Sequence, residues 1–168
     1  MNQIIQMEKN MLNNDILRRI RYTFDFNDTK MIEIFKLGGH KVTRSEISDW
    51  LKKEDNGAYQ HCDDATFAIF LNGLINDKRG EREGAKPEIE THLTNNIIFK
   101  KIKIALNLKA EDVLGIMKLA DFEMSKHELS AFFRRHGHRQ YRECKDQILR
   151  NFLKGMQIKY KKSQLPKK

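Results

Sequence analysis

A shift of 82 residues lays positions 13–80 of this chain onto 95–162 without a gap. Nothing else in the sequence limits the fold as strongly. Whatever unit the first segment forms, the second must form too, because a repeat of this length is one supersecondary unit used twice. Asn13, Asn14, Ile16 and Ile20 fall on Asn95, Asn96, Ile98 and Ile102. Ile34, Lys36 and Leu37 fall on Ile116, Lys118 and Leu119, and Glu46 and Ser48 on Glu128 and Ser130. Tyr59, Cys62 and Asp64 match Tyr141, Cys144 and Asp146, and Phe70, Leu71 and Gly73 match Phe152, Leu153 and Gly155. Many other positions exchange like for like, as Trp50 does with Phe132.

The periodicity inside each copy predicts an all-α fold: two tandem copies of a small four-helix unit. Ile16, Leu17, Ile20 and Phe24 recur at helical spacing after Asn14-Asp15, which reads as a capping pair. Met31, Ile32, Ile34, Phe35 and Leu37 form a second apolar face, and Gly38-Gly39 a stop. The third helix opens on Thr43-x-x-Glu46 and its counterpart on Ser125-x-x-Glu128, both capping boxes. The fourth follows Asp63-Asp64, with Phe67, Phe70, Leu71, Leu74 and Ile75 on one side. Gly73 and Gly155 interrupt it at a cost of about 1 kcal/mol relative to alanine, so close approach of a neighbouring helix is their expected reason. The chain then divides into an N-terminal extension (1–12), a first repeat (13–80), a charged linker (81–94), a second repeat (95–162) and a basic tail (163–168). Glycine, proline and dense charge between Asp77 and Glu90 predict that the linker is flexible.

Charge separates the two copies. Residues 13–80 hold 11 Lys and Arg against 11 Asp and Glu, whereas 95–162 hold 16 against 7, so the net charge of +9 belongs to the second repeat. No stretch approaches the roughly 20 apolar residues that span a bilayer, and Met1 to Leu12 lacks the features of a secretory signal. Together with only two cysteines, this predicts a cytoplasmic protein with no membrane partner.

The third helix carries the most suggestive pattern. Val42 to Leu51 resembles the turn and recognition helix of helix-turn-helix DNA-binding proteins: an apolar residue, a hydroxyl cap, and apolar anchors four and seven positions later. The turn from Gly38 to Val42 is longer than usual, and an ordinary packing helix shows the same features. In the second copy Met124, Ser125, Leu129 and Phe132 are the anchors. Lys126, His127, Ser130, Arg134 and Arg135 are expected to be exposed. Arg134 to Arg142 interleaves arginines with His136, His138, glycine and Tyr141, a composition suited to phosphate contact and base stacking. The expected nucleic-acid contacts are therefore Lys100, Lys103, Lys126, Arg134, Arg135, Arg139 and Arg142, with DNA or RNA as partner. The competing expectation is an adaptor or regulator of another protein, using a surface of the neutral first copy around Arg44, Ser48 and Trp50.

Other chemistry is not expected. No phosphate-binding glycine loop, Gly-x-Ser-x-Gly or His-Glu-x-x-His is present, so neither an enzyme nor a cofactor is predicted. His127, His136, His138 and Cys144 match no zinc spacing and stand among arginines, so no metal is predicted. Cys62 and Cys144 recur just before the fourth helix, which favours a small buried side chain there. A thiol activated by a helix N-terminus is the alternative.

Four segments carry a family resemblance: Asn13-Asn14-Asp15-Ile16-Leu17-Arg18-Arg19, Val42-Thr43-Arg44 through Trp50-Leu51-Lys52-Lys53-Glu54-Asp55, Phe70-Leu71-Asn72-Gly73-Leu74, and Gly137-His138 through Tyr141-Arg142-Glu143-Cys144. From Met11 onward the chain resembles the YehS-like proteins, a family of small bacterial proteins of unknown function. The resemblance implies a bacterial cytoplasmic protein with two copies of the domain, and brings no activity with it. Family members begin near Met11, so Met1 to Asn10 reads as an extension.

Overall fold

The computed structural model describes residues 11–81, 83–84 and 86–161, and the expected extension (but for its last two residues) and basic tail lie outside them. The described residues are helical, without strands. The first repeat forms α1 (Asn13–Phe24), α2 (Asp28–Leu37), α3 (Arg44–Leu51) and α4 (Asp64–Arg79). The second forms α5 (Asn95–Ala105), α6 (Ala110–Leu119), α7 (Lys126–Ala131) and α8 (Asp146–Met156), which runs on into a π-helical segment, Gln157–Lys161.

Both predicted capping boxes are present: Thr43 and Ser125 accept from the backbone of Glu46 and Glu128, whose carboxylates accept in return. Asp63 caps α4 through Thr66 N–H at 2.8 Å. Asn14-Asp15 is not a capping pair. Leu12 occupies the cap position of α1, and both asparagines lie inside its first turn with their side chains buried. The stop after α2 also divides its work differently. Gly39 alone is left-handed (φ +100°), while a Cβ on Gly38 would lie 2.0 Å from the Ile69 carbonyl oxygen. Gly73 and Gly155 meet the expectation of close packing. A Cβ there would stand 1.8 Å from Ile34 O and 2.0 Å from Ile116 O, so α4 and α8 lie directly against the backbones of α2 and α6.

The two repeats are packed on each other through α1, α4, α5 and α8, and side-chain pairs fix the sense of all four. Asn13 reaches Asp64 at the start of α1 and α4, and the Lys78 ammonium lies 4.9 Å from the Phe24 ring centre at their ends. Leu93, two residues before α5, donates to Asp64 at 2.8 Å; Lys101 donates to Asn72 midway; Arg79 donates to the Ile104 carbonyl at the far end. Asn95 reaches Asp146 at the start of α5 and α8, and Phe24 meets Tyr160 at 5.2 Å where α1 and the π segment end. All four helices therefore run in one direction. The contacts α4 to α5 and α1 to α8 are reciprocal, as a pseudo-two-fold axis along the bundle requires. A single core joins both repeats, with Ile20, Phe70, Leu74, Phe99, Ile102 and Phe152 in it.

Parallel packing forces the linker to travel back along α4, a helix of 16 residues and so about 24 Å long. Fourteen extended residues reach about 46–50 Å, which is ample. The end of the linker is built into the fold. Glu90 pairs with Lys101 at 3.1 Å, Leu93 is buried, and Thr94 caps α5 through Ile97 N–H.

Candidate nucleic-acid interface

The predicted contact residues gather around the connection between α7 and α8, and the asparagine pair explains how this connection is held. Asn96 Nδ2 donates to the Phe132 carbonyl (3.0 Å) and the Arg142 carbonyl (2.7 Å), while its Oδ1 accepts from Cys144 N–H (2.9 Å). Asn95 Nδ2 donates to the Cys144 carbonyl and to Asp146. Arg142 N–H also donates to the Ala131 carbonyl at 3.1 Å. Both asparagines are buried. Residues 132–144 are thus an irregular segment clamped at both ends onto the first turn of α5. Internal turns close between His138 N–H and Arg135, and between Tyr141 N–H and His138.

The first repeat builds the same scaffold bond for bond. Asn14 donates to Trp50 and Gln60 carbonyls and accepts from Cys62, and Asn13 donates to the Cys62 carbonyl and Asp64. Gln60 N–H donates to Asp49, Asn56 N–H to Lys53, and Tyr59 N–H to Asn56. Each bond is the image of its partner under the 82-residue shift. The loops differ in surface chemistry and locally in backbone, since Gly137 is left-handed (φ +93°) and its counterpart Asp55 is not. Residues 52–61 carry Lys52, Lys53, Glu54 and Asp55, for a net charge of zero. Residues 134–143 carry Arg134, Arg135, Arg139, Arg142 and Glu143, for a net charge of +3. Because the asparagines sit at the starts of α1 and α5, both loops lie at the amino end of the parallel bundle. Asp63, Asp64 and Asp146 occupy or flank the first turns of α4 and α8, and an acid at that position offsets the partial positive charge. The first turn of α5 holds no acid, so its amino end adds to the attraction of the arginines for an anion.

Arg134, Arg135, Arg139 and Arg142 are all exposed on this loop. Arg134 and Arg135 are not on the third helix, as its apolar pattern predicted, because α7 ends at Ala131. Lys100 is exposed one turn along α5 from Asn96. Its first-repeat counterpart, Arg18, donates to the Lys52 carbonyl at 3.0 Å, which places position 100 beside the start of the loop. Among the described residues, Lys100, Arg134, Arg135, Arg139 and Arg142 take part in no ion pair. Lys103 is half-buried, with its ammonium 5.4 Å from the Phe133 ring centre. Lys126 stands apart at the amino end of α7 and is engaged by Glu111 at 3.0 Å, whose carboxyl it holds below the usual range. The loop and Lys100 are therefore the coherent group, with Lys103 at its edge.

The alternative surface is less coherent. Arg44 is exposed and 3.9 Å from Asp28, and Ser48 accepts from the Lys52 ammonium at 3.0 Å. Trp50 is only 9% exposed and packs on Phe35 at 5.3 Å, so it belongs to the core.

Both cysteines are buried, and burial pushes the Cys144 thiol up to about 12. Neither an activated nucleophile nor a disulfide fits this setting. The native protein is expected to leave Cys144 unmodified by Ellman's reagent until denaturant is added. Stoichiometric reaction at two thiols in buffer, on a time scale faster than unfolding, would show the environment to be wrong. Among the described residues no group of three or more His, Cys, Asp or Glu side chains is arranged to hold a metal ion, and no helix is long and apolar enough to cross a membrane.

Comparison with known proteins agrees with the duplication. A family model described as a protein of unknown function, DUF1456, matches residues 13–80 and again 95–162. The uncharacterized protein YehS of Escherichia coli (strain K12) is 44% identical over 147 residues, covering 87% of this chain and 94% of that protein. No solved structure matches. With both repeats matched and a bacterial relative similar over nearly its full length, the chain belongs to the DUF1456 family, the YehS-like proteins.

Proposed function

We propose that this protein is a non-enzymatic nucleic-acid-binding protein whose phosphate contacts come from the loop between α7 and α8. The observation that carries this reading is the pair of loops built on one scaffold. The same clamps hold 52–61 and 134–143, yet only the second displays four exposed arginines, none of them in an ion pair among the described residues. A solvated surface gains nothing from confining four guanidinium groups to one short loop, since their mutual repulsion costs stability. Phosphate oxygens relieve that repulsion and accept the planar fork of arginine at two points. Lys100 extends the charged surface along α5. The burial of Trp50 weighs against the protein-adaptor reading, which also drew on the neutral first repeat and on Arg44 and Ser48.

The two repeats supply a mild test. Arg139→Gly, Arg142→Gln and His136→Glu give the second loop the residues its counterpart carries at Gly57, Gln60 and Glu54. Gly137 is left alone, because its φ of +93° disfavours the aspartate found at position 55. Each phosphate contact on duplex DNA contributes about −0.9 to the slope of log affinity against log salt. Fluorescence anisotropy of labelled DNA and RNA across a salt series should show saturable binding by the wild type. The triple variant is expected to lose about 1.8 from the magnitude of that slope, with unchanged circular dichroism. Absence of binding by the wild type even at low salt would reject the proposal.

A further inference from the structure

Resting on the reading above, we infer that the ligand is single-stranded nucleic acid, with His136 and Tyr141 forming a stacking surface between the arginines. The structure speaks first against docking in a duplex groove. A recognition helix must project several side chains along a groove, but α7 has six residues, fewer than two turns, and its final residues Leu129 and Ala131 are buried. Its first basic residue, Lys126, is paired with Glu111. The unpaired arginines stand after the helix, on an irregular turn whose shape is fixed by backbone clamps. Such a surface follows a flexible backbone better than it fills a groove.

The loop also carries aromatic faces where the arginines are. The His136 ring is exposed and meets the half-buried Tyr141 ring edge-on, at 5.1 Å between centres and 71° between planes. Gly137 beside it adds no side chain to cover the ring. Gln140 N–H donates to His138 Nδ1 at 3.0 Å, holding that second imidazole within the same turn. Unpaired bases stack on such rings regardless of sequence, while arginines follow the backbone. The first repeat keeps the tyrosine but not this surface. Both tyrosine hydroxyls are pushed up by burial and then by a nearby carboxylate, Glu54 at Tyr59 and Glu143 at Tyr141, but Glu54 occupies the very position that His136 fills in the second loop. A carboxylate at that point would repel both phosphate and the electron-rich face of a base.

The experiment compares a labelled single-stranded oligonucleotide of about 20 nucleotides, long enough for one binding site, with its own duplex, using wild type and His136→Ala. Position 136 is exposed, and its counterpart is a glutamate, so the substitution leaves the fold intact; Tyr141→Leu serves as a second variant, checked by thermal unfolding. Tighter binding of the single strand, weakened about tenfold by His136→Ala while residual duplex binding is unchanged, is the expected result. Duplex bound as tightly as the single strand, or equal losses on both ligands, overturns the single-strand inference and leaves nucleic-acid binding standing. Binding of neither ligand at low salt removes both.

Discussion

Gly155→Ala should destabilise the protein by about 3 kcal/mol or more, although helix propensity alone predicts a gain of about 1 kcal/mol. The position lies inside α8, where alanine is the better helix former. A Cβ there, however, would stand 2.0 Å from the carbonyl oxygen of Ile116, and one on Gly73 would stand 1.8 Å from that of Ile34. The obstacle in both cases is backbone, which cannot rotate away as a flexible side chain can. Either α8 withdraws from α6, opening space around Phe152 and Met117, or the carbonyl loses its place in the helix ladder. Overpacking in a tight core costs about 1–3 kcal/mol even where side chains can yield, and whole domains are stable by only about 5–15 kcal/mol. Gly115 supplies the opposite case. It lies in α6, exposed, with nothing within 4 Å of an added Cβ, and its counterpart in the first repeat is Glu33. Gly115→Ala should therefore stabilise by about 1 kcal/mol. Urea unfolding of the three alanine variants decides the matter. Equal effects at 73, 115 and 155 would mean that propensity, not close packing, governs these sites.

These glycines also show which parts of the molecule can be read from the chain. Gly73 and Gly155 break the local preference of a helix at the same place in both copies, and such a conflict points to a neighbour at close range. The capping boxes at Thr43 and Ser125 are equally local, since each is complete within four residues. Where α3 and α7 end is a different matter. Phe132-Phe133-Arg134-Arg135 continues the helical pattern, and the local stop signal, Gly137, lies six residues beyond the end of α7 at Ala131. The stop comes from Asn96, 36 residues away, which takes the Phe132 carbonyl out of the helix ladder just as Asn14 takes that of Trp50. Arginines expected on a recognition helix are displaced into a loop for this reason. The repeated Asn-Asn pair was visible as a match, but an asparagine near a helix start first reads as a cap. Only its burial reveals the other use.

The parallel bundle was hidden for a similar reason. Ile20, Phe24, Ile102 and Leu106 are apolar at helical spacing whether they face their own repeat or the other one. Periodicity identifies a buried face without naming what covers it. What distinguishes the repeats, by contrast, lies on the surface and is plain in the sequence: acids at 54 and 55 against His136 and Gly137, and Gly57 and Gln60 against Arg139 and Arg142. The two copies share the clamps and the core, while the loop of one is neutral and that of the other basic. The molecule thus contains its own control, a neutral loop on the same scaffold at the same end of the bundle.

Asn96→Ala and Asn14→Ala test that control by removing the same clamp from each copy. Asn96 satisfies two carbonyls and one N–H, those of Phe132, Arg142 and Cys144. Alanine leaves all three without their partner at a buried helix start, where each orphaned group costs about 1–3 kcal/mol. Some will regain water as the loop loosens, so a loss of about 3–5 kcal/mol is expected. Asn14, with the same three partners at Trp50, Gln60 and Cys62, should cost a similar amount. The two variants should part on function. Releasing residues 132–144 lets Arg134, Arg139 and Arg142 move independently, and ordering them again on a phosphate backbone then opposes binding. Releasing 52–62 loosens a loop with no net charge and should leave affinity nearly unchanged. Hydrogen exchange at Arg142 N–H, bonded to Ala131 in the native state, reports the release directly, and anisotropy at a temperature where both variants remain folded reports its consequence. Equal loss of affinity in the two variants would mean that the ligand is held by both loops, and that the pseudo-two-fold end of the bundle, rather than one basic loop, is the binding surface.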